Sequence, residues 1–295
     1  VTAGDIFVTN GAMHALSVLF SALLGPGDEV VVPDPMWYEA VENVKLAGGT
    51  PLPVPLCRAH GYRYTATAIE AALTPATVGI FLNTPHNPTG VVLPREELEA
   101  IVEVARARGL WIISDEAYED VVFEPARHVS LASLAPDLAE RIVSVFSFSK
   151  SHAMPGLRVG YIVARAPLLK DRLPKLLRST TNGVNSVSQW AALAAVTGDQ
   201  SHVEAMRQEF RHRRDLLVGA LQGIEGVHVT TPQGTFFLWV ELEPSVYTRL
   251  GVAGAGELAD RLAQRGIGSV PGSGFGRSGV DALRLAFACS TEMVE

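Results

Sequence analysis

Cysteine is nearly absent from this chain. Its 295 residues hold two, Cys57 and Cys289, without a CxxC pair and too few for a disulfide framework. Long apolar runs are missing as well. The longest, 15–24, is interrupted by serines and falls far short of the ~20 residues that cross a membrane. No basic-then-apolar segment opens the chain as a secretory signal would. Basic charge does not dominate: 24 Lys and Arg stand against 31 Asp and Glu, a formal charge of −7. That balance argues against nucleic acid or an anionic membrane as the main partner. HExxH, clustered His/Cys and calcium-loop spacings are lacking, so no metal site is expected. These absences leave a cytoplasmic enzyme or binding protein, and 47% hydrophobic residues suffice for a large core.

What is present alternates. Strands are expected at 6–9, 29–32, 52–54, 78–82, 110–114 and 142–146, with helices at 11–24, 37–47 and 95–108 between them. β-Branched apolar strands separated by helices predict an α/β fold, a mostly parallel sheet sandwiched by helices. After Ala166 the pattern turns to long helical stretches, including an Arg-rich one at 200–221. Shorter strands follow at 226–230, 235–241 and 282–288, with a helix at 257–265. The expected division is a large domain over 1–199 and a smaller α+β domain over 200–295.

Ligands of open α/β sheets sit outside the carboxyl ends of the strands. Four such ends are polar here: Asn10-Gly11-Ala12, Asn83-Thr84-Pro85-His86-Asn87-Pro88-Thr89-Gly90, Asp115-Glu116-Ala117-Tyr118 and Ser147-Phe148-Ser149-Lys150. In the first, Asn10 can cap a helix whose free amides face an anion; taken alone, it is also an ordinary helix start. The second joins rigid prolines to ligand-binding amides, and alone reads more readily as a structural turn. Asp115-Glu116 imitates the acidic strand of a magnesium-dependent nucleotide hydrolase, but the GxxxxGK(S/T) loop which that chemistry needs is missing. Lys150 stands out because the chain has four lysines against twenty arginines. Arginine cannot lose its proton and attack a carbonyl, so a lysine retained after a buried strand points to amine chemistry; an exposed ion-pairing lysine is the plain alternative. Gly272-Ser273-Gly274-Phe275-Gly276 lacks GxGxxG spacing and reads as a bend.

Together these strings resemble the fold-type I pyridoxal-phosphate enzymes, specifically the class I/II aminotransferases. The resemblance is carried by the Asn83–Gly90 string, Asp115-Glu116-Ala117-Tyr118, Ser147 to Lys150 with Gly156-Leu157-Arg158-Val159-Gly160, Pro271-Gly272-x-x-Phe275-Gly276, and Arg284-Leu285-Ala286-Phe287-Ala288. It implies a seven-stranded sheet and pyridoxal 5'-phosphate as cofactor. Lys150 matches the lysine that holds this aldehyde as a Schiff base and shuttles the substrate proton. Asp115 matches the carboxylate under the pyridine nitrogen, Tyr118 and Asn87 the pair on the phenolic oxygen. Trp37 matches the aromatic stacked on the ring, though it also reads as a core residue beside Tyr38. The phosphate site would combine the amides of Ala12 and Met13 with Ser147, Ser149 and Arg158. Arg284 matches the arginine that grips the substrate carboxylate; strand alternation independently sets it on the face opposite Leu285 and Phe287.

The implied reaction is ping-pong transfer of an amino group from an L-amino acid to a 2-oxo acid, with 2-oxoglutarate the usual acceptor and a homodimer the usual assembly. A carbon–sulfur β-lyase and the aminotransferase-like sensor domain of a transcription regulator are the alternatives. With no second substrate cation identifiable and Met13 where some relatives place a polar or basic residue, neutral or aromatic donors are favoured. The chain starts at Val1, almost directly at the phosphate-site strand, where relatives have a preceding arm. It is therefore expected to be an internal stretch of a longer enzyme, dimerising or turning over poorly by itself.

Overall fold

Seven strands form the main sheet of the computed structural model, which describes residues 1–295: β1 (Ile6–Thr9), β2 (Glu29–Asp34), β3 (Thr50–Pro55), β4 (Thr77–Asn83), β5 (Trp111–Asp115), β6 (Ile142–Ser147) and β7 (Gly160–Val163). Their spatial order is β1-β7-β6-β5-β4-β2-β3, and β7 alone runs against its neighbours. The chain is α/β with a mostly parallel sheet, as expected. β7 has no visible signal in the sequence, because four residues beginning at a glycine are too few to show a period.

Helices α1 (Gly11–Leu23), α2 (Tyr38–Leu46), α3 (Ala66–Ala72) and α4 (Arg95–Arg108) cover the sheet. Alternation along the strands divides the core between the two faces. Val31, Ile80, Leu82 and Ile112 pack against Ile69 of α3 and Leu98 and Ile101 of α4. Val30, Phe81, Ile113 and Val145 pack against Leu16, Leu19 and Phe20 of α1. Burial on both faces is why these strands read as unbroken apolar runs. Each fully buried Leu or Ile contributes ~1.5–3 kcal/mol.

Helices α5 (Phe148–Ser151), α6 (Pro167–Thr180), α7 (Ser186–Thr197) and α8 (Ser201–Leu221) follow. A second, antiparallel sheet then combines β8 (Val227–Val229), β9 (Phe237–Leu242), β10 (Val270–Pro271) and β11 (Ala282–Ala286) in the order β10-β11-β9-β8, accompanied by α9 (Pro244–Leu250) and α10 (Ala255–Ala263). The sheets share packing: Trp239, Phe275 and Ala282 join the first core cluster, and Tyr118, Val121 and Phe123 join Phe237, Leu238 and Phe287. This apolar contact brings β11, and Arg284 on it, to the carboxyl ends of the main strands. No helix is long and apolar enough to cross a membrane.

Candidate active site

One cavity of about 310 Å³ is lined by Ala12, Met13, Trp37, Asn87, Asp115, Tyr118, Ser147, Ser149, Lys150, Arg158 and Arg284, which is every residue the sequence nominated. Its size falls at the lower end of the ~300–1,000 Å³ usual for small-molecule sites. Asn83, Ala117, Pro155 and Phe237 complete the wall. The residues arrive from separate elements, mostly at strand ends: Asn83 closes β4, Asp115 closes β5, and Ser147 closes β6 directly before the one-turn helix carrying Lys150.

One end is built for an anion. Helix α1 begins without the expected cap: Asn10 holds the N-cap position at φ −79, ψ 58, but its side chain makes no capping bond. That backbone is not the extended conformation a capping side chain needs. Its own amide donates to His14 Nδ1 at 3.1 Å instead. The first-turn amides of α1 are left without an intrahelical acceptor. Gly11 (φ +82) lets Arg158 close on this helix end, since a Cβ there would lie 2.9 Å from the guanidinium carbon. A Cβ on Gly160 would lie 2.9 Å from the Ala12 nitrogen. Arg158, itself at φ +52, donates to the Pro155 carbonyl at 2.8 Å and to Ser149 Oγ at 3.5 Å. Ser147 Oγ accepts from the Ser149 amide at 3.2 Å.

At the centre, Lys150 Nζ lies 5.1 Å from the Phe236 ring centroid and 5.5 Å from that of Tyr118. Burial pushes its amine down, Arg284 and Arg158 push the same way, and Asp115 opposes them. Asp115, 4% exposed, accepts one bond, from the Ala117 amide at 3.1 Å. Burial raises its carboxyl to about 7 against that amide, with the charge of Glu116 adding to the rise. Burial, then Asp115, also raises the Tyr118 phenol.

Opposite, Arg284 Nη1 donates to Asn87 Oδ1 at 3.0 Å, and the guanidinium lies 3.9 Å from the Phe237 ring centroid and 4.6 Å from that of Phe275. Asn83 braces this arrangement: its Oδ1 accepts from the Asn87 amide at 2.8 Å and its Nδ2 donates to the Asp115 carbonyl at 3.2 Å. The Trp37 amide donates to the Asn87 carbonyl at 3.1 Å. Asn83 opens the Asn83–Gly90 string, but a bracing role has no sequence signal. Phe237, beside Phe236 on a strand, reads from sequence as core.

None of Lys150, Arg158 and Arg284 has a carboxylate within ion-pair distance. Three unpaired cations thus line one cavity with a buried carboxyl, inside an otherwise acidic protein. Such a cavity takes a ligand with two anionic ends, so the donor set fits a phosphorylated pyridine together with an amino acid carboxylate.

The sequence pattern of the family described as Aminotransferase class I and II matches residues 1–295. An aspartate aminotransferase of Geobacillus stearothermophilus is 39% identical over 295 residues, covering 99% of this chain and 73% of the relative. An arginine–pyruvate transaminase of Pseudomonas aeruginosa is also 39% identical, covering 99% of this chain and 72% of the relative. The aspartate aminotransferase of Thermus thermophilus with maleate superposes with a TM-score of 0.91 at 32% identity, over 100% of this chain and 74% of that one. This chain therefore belongs to the class I and II aminotransferases, enzymes that transfer amino groups with the help of pyridoxal phosphate.

Proposed function

We propose that Lys150, Asp115 and Arg284 divide the work of moving an amino group from an L-amino acid to a 2-oxo acid in this cavity. The observation that carries the assignment is one cavity lined by three cations without carboxylate partners, Lys150, Arg158 and Arg284, together with the buried carboxyl of Asp115. The Ala12 and Met13 amides, Ser147, Ser149 and Arg158 would hold the cofactor phosphate. Asp115 would face the ring nitrogen, Tyr118 and Asn87 the phenolic oxygen, and Trp37 the ring face. When bound, pyridoxal phosphate supplies an aldehyde carbon that takes up amines and a ring that accepts electrons. Lys150 would hold it through its amine and would serve as the base that carries the Cα proton; its lowered amine suits both tasks. Arg284 fixes the donor carboxylate through its planar fork and so aims the Cα–H bond. Arg284→Lys loses that fork, and the donor KM is expected to rise about 100-fold with a smaller fall in kcat; steady-state kinetics with unchanged KM would remove Arg284 from this role.

Absorption spectroscopy tests the assignment. An amino acid should convert the visible band of the loaded protein to that of the amine form, and a 2-oxo acid should restore it. Irreversible bleaching with every donor, or acceptor-independent release of pyruvate and ammonia from a cysteine conjugate, would favour β-elimination instead. Met13 at the cavity wall, with no fourth cation beside it, supports neutral or aromatic donors over acidic ones.

A homodimer is part of the same proposal. Val187, Trp190, Leu193 and Val196 form an apolar stripe on α7, exposed by 70%, 71%, 47% and 55%. The same helix packs against Phe148 of the lysine turn through Ala192. An uncovered stripe of this kind marks an interface. Trp190→Glu should convert a dimer to monomer in sedimentation experiments, and a monomeric parent would overturn the idea. Two free thiols, Cys57 and Cys289, support a cytoplasmic setting.

A further inference from the structure

We propose that Glu116 is a positioning residue for Asp115: a buried carboxylate, outside the cavity, whose charge keeps the proton shared by Asp115 and the cofactor ring nitrogen in place. The proposal rests on the assignment of Asp115 to that nitrogen.

Glu116 directly follows Asp115 and is 0% exposed. Its amide donates to the Val145 carbonyl at 2.9 Å, which locks the strand end onto β6. The side chain faces away from the cavity. Oε1 accepts from Ser144 Oγ at 2.8 Å and from Ser130 Oγ at 3.1 Å, and Oε2 pairs with His128 Nε2 at 2.9 Å. No lysine or arginine reaches it. The other His128 ring nitrogen, Nδ1, is buried without a partner. With Nδ1 unpaired, the ring contributes one contact to Glu116, through Nε2.

Two neighbouring carboxyls thus have unequal environments. Glu116 has three side-chain hydrogen-bond partners on its two oxygens, whereas Asp115 has one partner, a backbone amide. A charge on Glu116 lies directly beside Asp115 and disfavours a second one there, which pushes the Asp115 carboxyl toward its protonated form. Lys150 faces Asp115 from the cavity and opposes this effect, while Tyr118 lies on the same side. Beyond Glu116, Glu119, Asp120 and Tyr161 add no positive charge that would cancel it. The arrangement costs the empty protein stability and makes Asp115 a stronger proton holder once a basic ring nitrogen lies against it.

The test loads the protein with pyridoxal phosphate carrying ¹⁵N in the ring and follows the ring-nitrogen shift with pH. Glu116→Gln should lower its titration midpoint by about one pH unit or more, a tenfold weaker hold on the proton. Ser144→Ala keeps the carboxylate and removes one neutral bond, so its midpoint should stay with the parent. Ser130→Lys sets a cation beside the intact carboxylate and should lower the midpoint as Glu116→Gln does; it serves alone where the glutamine variant does not fold. An unchanged midpoint in the charge-altering variants, or an equal drop in Ser144→Ala, overturns the proposal. Asp115→Asn separates the two levels. If it leaves the ring nitrogen untouched, the assignment of Asp115 fails; if it alone moves the midpoint, only the role of Glu116 fails.

Discussion

Lys150→Ala is expected to lower amino transfer by about 10⁴-fold and to abolish borohydride trapping of pyridoxal phosphate on the protein. No other side chain can substitute. The remaining lysines are engaged at the surface: Lys45 with Glu42 at 2.7 Å, Lys170 with Asp5 at 2.6 Å and Lys175 with Asp171 at 2.6 Å. Arg158 and Arg284 line the same cavity, but a guanidinium neither releases its proton nor condenses with an aldehyde, so Lys150→Arg should be equally inactive. Restoring an amine without the tether separates the two tasks proposed for the lysine. Methylamine added to Lys150→Ala should recover part of the proton transfer in a single-turnover experiment while trapping stays absent. A borohydride adduct persisting in Lys150→Ala would displace Lys150 from the reaction altogether.

The scarcity of lysine narrows the candidates to four, but three of them form surface ion pairs, so it is the Ser147–Lys150 string and its family resemblance that single out Lys150. The sheet is legible more directly. Strands buried on both faces must be apolar throughout, and runs such as Ile80-Phe81-Leu82 satisfy this locally. Contacts between distant segments have no local pattern. Arg284 and Asn87 meet across 197 residues of sequence, brought together by the packing of Trp239 and Phe275 against the first core and of Phe237 and Phe287 against Tyr118 and Phe123. The pairing of Asp115 with Glu116 is the instructive case. Side by side in sequence, they imitate the acidic strand of a nucleotide hydrolase. At a strand end, successive side chains point to opposite faces, so one enters the cavity and the other joins Ser130, Ser144 and His128. The nearest neighbours in sequence thus act on different sides of the same wall.

Asp115→Asn should have opposite consequences for the loaded and the empty protein. In the loaded enzyme, the role proposed for Asp115 makes it the partner of the ring nitrogen, so its loss is expected to lower kcat about 10³-fold with little change in donor KM. In the empty protein the same carboxylate is a liability. Its folded value of about 7 exceeds the ordinary 3.8, chiefly through burial. The folded state therefore binds the proton more tightly than the unfolded chain does. This contribution to stability is complete below pH ~3.8 and is lost as pH rises through about 7. At pH 8 the parent has lost it, by as much as ~4 kcal/mol, whereas an asparagine has nothing to ionise. Thermal unfolding of cofactor-free protein should then show Asp115→Asn to be the more stable form at pH 8, with its advantage shrinking steadily toward pH 4. Adding pyridoxal phosphate should reverse the order at pH 8, because the ring nitrogen offers the parent carboxylate a charged partner. Parallel pH profiles for the two empty proteins would mean that Asp115 titrates normally, and the site would lose the proton-holding group on which electron withdrawal from the substrate depends.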